Sequence, residues 1–214
     1  MTPERARRVH VVVAVVAWAA LILQLILVLQ GGRVLDEVDP PGLGARIYRF
    51  FAYFTIQSNI LVAVVSTVLA RDPSLDGPAW RVVRLSALVG ITVTGLVHFF
   101  LLRPLLDLTG ADWVCDKRLH MVVPVLAIAA WALAGPRPRV TWREATYALV
   151  WPLVWLGWTL VAQAVDGWVP YPFLDPDQDG WGAVVVVSIG VTVLFVGLLA
   201  LARTLDRRLP PAPR

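Results

Sequence analysis

One cysteine, one lysine, three histidines and two methionines stand in a chain of 214 residues. The lone Cys115 excludes an intramolecular disulfide framework and a multi-cysteine metal site. Charge is scarce as well, at 16% of residues against ~25% in an ordinary soluble domain. The net charge of +4 comes from 18 Arg and Lys117 against 15 acids. An excess of that size in so apolar a chain is a topology signal and makes no case for nucleic acid as a partner. What fills the sequence instead is apolar: 58% hydrophobic residues, against the ~45 to 50% of soluble domains. The composition therefore describes an integral membrane protein.

Six apolar runs separate at 9–30, 47–70, 82–102, 119–134, 141–165 and 182–202. Each is long enough, or nearly so, to cross ~30 Å of hydrocarbon at 1.5 Å per residue. The expected fold is all-α and polytopic, a single six-helix membrane domain over 1–214 with a disordered tail at 209–214. The first run opens like a signal peptide after Arg5, Arg7 and Arg8, but Ala20 to Gln30 stays apolar past the Ala17-Trp18-Ala19 tripeptide, so it is read as a retained anchor. With the N-terminus in the cytoplasm, 13 basic residues fall on the inner side and 6 on the outer. That split predicts a multi-pass protein of the cell membrane with both termini cytoplasmic. The loops are short and punctuated by Pro and Gly, as in Asp39-Pro40-Pro41-Gly42, which fits antiparallel neighbours. No internal repeat and no inverted pair of broken helices is read, and the clear span interiors are expected to hold no Asp or Glu. Arg in place of Lys, with abundant Ala, Val, Leu and Gly, points to a bacterial source.

Ionisable and polar side chains in hydrocarbon are costly, and each is a candidate for function. Thr55, Ser58 and Asn59 share a helical face, below Tyr48 and Phe51. Thr94 and His98 are one turn apart, His120 is followed a turn later by Pro124, and Trp155, Thr159 and Gln163 follow at i+4 steps, as do Ser188 and Thr192. Thr55, His98, His120, Thr159, Gln163, Ser188 and, more marginally, Gln24 all fall in the outer half, so a polar pocket is expected there. The inner half holds Ser66, Thr67 and Ser86, which can bond their own i−4 carbonyls. The bland readings are packing for an isolated Thr, interhelical hydrogen bonding for Asn59 and Gln163, and a tolerated interfacial imidazole for either histidine. Trp113, Trp168 and Trp181 read as interfacial belt residues.

Three chemistries compete for these residues. A Thr hydroxyl is a poor nucleophile until a base takes its proton, so Thr55 needs His120 or His98 within reach. A metal site could draw on His98, His120 and an outer-loop acid such as Asp107, Asp112 or Asp116; no pair is read at helical ligand spacing, and no metal is assigned. Asp175-Pro-Asp177-Gln-Asp179-Gly180 copies the first half of an EF-hand loop, but position twelve is Val186, so an acidic turn is the reading.

The stretch Tyr53-Phe54-Thr55-Ile56-Gln57-Ser58-Asn59, the run Leu119-His120-Met121-Val122-Val123-Pro124 and the loop Gly167-Trp168-Val169-Pro170-Tyr171-Pro172-Phe173-Leu174 together resemble the androgen-induced-protein and FAR-17a-like membrane family, in its bacterial branch. Animal members are intramembrane threonine hydrolases that cleave fatty acid esters of hydroxy fatty acids. The resemblance implies Thr55 as nucleophile, His120 as base, no cofactor, and membrane lipids or lipid-like esters as partners. His98, Asn59, Ser58, Thr159 and Gln163 are the expected binding residues, with Asn59, Gln163 or a hydroxyl from the bundle as oxyanion donor. The rivals are a non-catalytic scaffold or small-solute carrier, and a haem or quinone protein held by His98 and His120.

Overall fold

A computed structural model describes residues 2–31, 41–137 and 139–209. The expected Asp39-Pro40 turn and the tail from 210 lie outside them. Among the described residues the chain is all-α with no strand, and six helical stretches are long and apolar enough to cross a membrane: Pro3–Leu29, Phe54–Arg71, Pro78–Leu105, Gly110–Ala134, Trp142–Asp166 and Pro176–Arg208. Their antiparallel order brings both ends of the bundle's chain to one side, here called the terminal end, and the opposite side is the distal end.

Local chemistry explains where the helices begin and break. Helix α1 (Pro3–Leu29) starts on Thr2, whose hydroxyl accepts from the Arg5 amide, with Pro3 at the first helical position. The second expected run is two helices. α2 (Leu43–Ala52) ends at Tyr53, which is extended (φ −65°, ψ 126°), and α3 (Phe54–Arg71) restarts at once. Side chains take up the carbonyls that the break frees: Gln57 Nε2 donates to Phe51 O at 3.0 Å, and Trp155 Nε1 donates to Ala52 O at 2.8 Å. The single span read over 47–70 is corrected here to two helices.

α4 (Pro78–Val97) runs into a π-helical turn at His98–Leu102 and a short 3₁₀ turn at Arg103–Leu105. α5 (Gly110–Lys117) joins α6 (Val123–Ala134) through a second π turn at Arg118–Val122, so the fourth crossing begins about nine residues earlier than its apolar run. Pro124 supplies the reason for the second wide turn. It has no N–H for the His120 carbonyl and its ring crowds that oxygen, so the Val123 N–H reaches back five residues to Arg118 O. The fifth crossing is α7 (Trp142–Ala148) and α8 (Val150–Asp166), interrupted before Pro152 for the same reason. α9 (Pro176–Arg208) is capped by Asp175, whose carboxylate accepts from the Asp177 amide at 3.0 Å, so the acidic turn expected at 175–180 is a helix start, with a kink at Gly180 (φ 76°).

Apolar packing is densest among α1, α3, α4 and α6, while α8 and α9 leave wide faces of Val, Leu and Trp exposed for lipid. Close approach is made at glycines: a Cβ on Gly90 would lie 2.6 Å from the Trp151 ring, which stacks on Phe54. At the terminal end, polar staples tie the helices together. His10 Nε2 donates to Gly135 O at 3.1 Å, Arg84 bonds Pro136 O, and Asp206 Oδ2 accepts from the Val140 amide at 2.8 Å. Thr67 returns its hydroxyl to Ala63 O, as expected of an inner-half hydroxyl. Asp116, Glu144 and Asp206 are all buried, and each lies toward one end of a crossing stretch.

Candidate active site

Thr55 is the second residue of α3, and the break at Tyr53 is what puts it there. The first amides of a helix have no partner within it. The Thr55 N–H donates to the Tyr171 hydroxyl at 3.1 Å, from the loop 167–175 that folds over the distal end. The Thr55 hydroxyl lies 3.2 Å from His120 Nε2 and 3.2 Å from Tyr171 Oη. A nucleophile placed at a helix N-terminus also sits at the positive end of the helix dipole, where developing negative charge is favoured.

His120 projects from the π turn, and its tautomer follows from its neighbours. Nδ1 faces two acceptors, the Asp116 backbone carbonyl at 3.1 Å and the Asp116 carboxylate Oδ1 at 2.9 Å, so Nδ1 carries the proton. Nε2 is then a bare lone pair directed at Thr55. Asp116 is one turn before His120 on the same helical face, is 6% exposed, and is balanced on its far side by Lys117 Nζ at 3.0 Å. The Thr–His–Asp line thus joins α3 to the fourth crossing without a gap.

His98, from the π turn after α4, is buried at 1% exposure and stacks on His120 with ring centroids 3.9 Å apart and planes 9° from parallel. Its Nε2 is 2.8 Å from the same Asp116 oxygen, so the reserve base of the sequence analysis lies beside the acid while His120 makes the contact to Thr55. Nitrogens of His98 and His120 and an oxygen of Asp116 all lie within 4.8 Å of one another, a set that could hold a metal ion. Parallel stacked rings, however, share no point lying in both ring planes, so coordination by both requires one imidazole to turn. The same stacking leaves no opposed pair of nitrogens for a haem between them.

Ser58 and Asn59 serve the scaffold around Thr55. Ser58 Oγ donates to Thr55 O at 3.0 Å and is 2.8 Å from the Thr94 hydroxyl on α4. The Asn59 amide is spent on Thr55 O at 2.8 Å and Leu119 O at 3.3 Å. It fixes the Thr55 backbone to the helix of His120 and is not free to donate to an oxyanion, which corrects that expectation. Thr159 is buried and Gln163 half-buried on α8, but neither lines the cavities at Thr55, and among the described residues no hydrogen bond joins either to Thr55 or His120. The hydroxyl beside Thr55 is that of Tyr171, a residue singled out in the sequence only as part of the 167–174 loop motif; burial pushes its pKa up and keeps it protonated.

Two cavities meet at Thr55 and Tyr171. One, of about 740 Å³, runs between α3, α4, α8 and α9 and is lined by Val93, Leu156, Val187, Val191 and Phe195, with Ser188 and Thr192 among them. The other, of about 570 Å³, lies toward the distal end and is lined by Gln24, His98, Asp112, Asp116 and His120. Of the three belt tryptophans, Trp113 and Trp181 are exposed, while Trp168 packs on Tyr53 and under the Arg49 guanidinium.

No family model, no curated protein and no solved structure matches this chain.

Proposed function

We propose that this membrane protein is an intramembrane hydrolase of long-chain, lipid-like esters, with Thr55 as nucleophile and His120 as base. The observation that carries the reading is the continuous line from Thr55 Oγ to His120 Nε2, 3.2 Å, and from His120 Nδ1 to Asp116. The resemblance to the threonine hydrolase family, which assigns the same two residues, supports it. In this mechanism His120 Nε2 takes the Thr55 proton as Oγ attacks the ester carbonyl, and Asp116 stabilises the imidazolium. The oxyanion of the tetrahedral intermediate takes the Tyr171 O–H and lies at the N-terminal end of α3. Collapse breaks the bond to the alkoxide, which leaves with the proton from His120. Water, deprotonated by the same histidine, then attacks the acyl-threonine, releases the fatty acid and restores the hydroxyl.

The site belongs to the outer half of the membrane in this reading, with both termini in the cytoplasm, as the 13 to 6 distribution of basic residues favours. A nucleophile and its base act as a unit, so their losses do not add. Thr55→Ala and His120→Ala each lower kcat/KM for a long-chain ester by about 10⁴-fold or more, and the double variant falls little further. Independent, additive losses in that double variant argue against the pair.

A further inference from the structure

The two cavities that share Thr55 differ in chemistry, and the difference bears on what the ester carries on each side of its oxygen. This inference rests on the hydrolase reading. The 740 Å³ cavity has no ionisable side chain other than Tyr171 on its wall, and it follows α9 from Val187 to Phe195, about 12 Å of helix. Its walls include α8 and α9, whose outer faces are exposed Val and Leu, so it suits an acyl chain drawn from lipid. The 570 Å³ cavity carries Asp112, Asp116, His98 and His120 and the buried amide of Gln24, and no Arg or Lys is among its lining residues.

Of its two acids, Asp116 is already engaged by both imidazoles and by Lys117. Asp112, half-buried in the first turn of α5, is in no ion pair among the described residues and faces the same space. An alcohol half bearing a carboxylate would be brought beside Asp112 and Asp116 with no cation on the wall to receive it, and like charges in a partly desolvated site repel. A hydroxyl or an ammonium group instead meets acceptors.

We propose that the 570 Å³ cavity binds the alcohol half of the ester and selects a polar alcohol without negative charge, glycol- or choline-like, while the acyl chain lies in the 740 Å³ cavity. Asp112 is the specificity-determining residue. The chemistry at Thr55 is the same for every such ester: the C–O bond to the alcohol breaks, water supplies the acid's oxygen, and the alkoxide takes the His120 proton.

The test compares three esters of one acid on the full-length purified protein: 2-hydroxyethyl palmitate, palmitoylcholine and palmitoyloxyacetate, which are neutral, cationic and anionic. The expected kcat/KM for palmitoyloxyacetate is at least tenfold below that for 2-hydroxyethyl palmitate, and Asp112→Asn closes most of that gap by raising the anionic ester selectively. Equal or faster turnover of the anionic ester, or a ratio that Asp112→Asn leaves unchanged while 2-hydroxyethyl palmitate is still cleaved, overturns the inference and leaves the hydrolase reading standing. Cleavage of none of the three, or cleavage that survives Thr55→Ala, overturns the hydrolase reading and the inference with it.

Discussion

In the proposed mechanism Thr55, His120, Asp116 and Tyr171 divide the work of one reaction between acceptors and donors, and the roles set different magnitudes for their loss. Asp116 fixes the proton on His120 Nδ1; an amide in its place can offer its NH₂ to that nitrogen and turn the tautomer around. Asp116→Asn therefore lowers kcat by roughly 10⁴-fold, the scale seen when a triad acid is neutralised. Tyr171→Phe removes one donor to the oxyanion and costs on the order of 10²-fold in kcat, with KM little changed. Steady-state kinetics on protein of matched melting temperature checks both, and a Tyr171→Phe variant as damaged as Asp116→Asn contradicts the division of roles. Thr55 and His120 were legible from sequence because a hydroxyl and an imidazole are conspicuous in apolar runs. The sequence pairs Asp116 with the histidines only as one of three acids for a metal site. A fourth span starting at Leu119 leaves Asp116 in a loop, although its i, i+4 spacing to His120 is the signal that joins the two.

At the scale of elements, the site is made by departures from regular helix. The break at Tyr53 turns Thr55 into a helix-start residue, and the π turns at His98–Leu102 and Arg118–Val122 aim two imidazoles at one carboxylate. Hydropathy and periodicity describe regular elements, so six crossings could be read from the sequence while these irregularities could not. Pro104 and Pro124, each two residues past the end of a π turn, are the sequence marks of the two turns. The crossing of α4 past the second π turn is close: a Cβ on Gly95 would lie 3.2 Å from His120 O and 3.3 Å from Pro124 Cβ. Gly95→Ala gains helix propensity of about 1 kcal/mol, which offsets the cost of that tight contact. The expected result is a melting temperature within a few degrees of wild type and a kcat at least tenfold lower, because the shift falls on the His120 backbone. Unchanged kcat in that variant argues that the π turn tolerates displacement and does not set the histidine's position.

On the scale of the whole molecule, a polar site under one end of an apolar bundle makes orientation part of the function. The distal end carries the loop 167–175, which holds Tyr171 over Thr55, and Asp112 at the mouth of the second cavity. A reporter active only in the cytoplasm, fused to the C-terminus, is expected to be active, and an impermeant thiol reagent is expected to reach a cysteine introduced at Asp166 from outside intact cells. The reverse pattern contradicts the outward placement of the site. The fold class was readable from composition alone, since 58% hydrophobic residues in 214 leave room for six crossings. The seating of the loop 167–175 was not, because a loop's path depends on what it packs against: Tyr171 packs edge-on against Tyr53 and stacks with Phe173, contacts between residues far apart in the chain or within an irregular turn.

The central claim, that Thr55 is a nucleophile activated by His120, meets its most direct test in covalent labelling by a fluorophosphonate probe with the modified peptide sequenced by mass spectrometry. The account predicts one adduct per chain, on Thr55, absent from Thr55→Ala and strongly slowed in His120→Ala when both variants insert and purify as the wild type does. Labelling that persists in Thr55→Ala, or well-folded wild-type protein that takes no label, contradicts it.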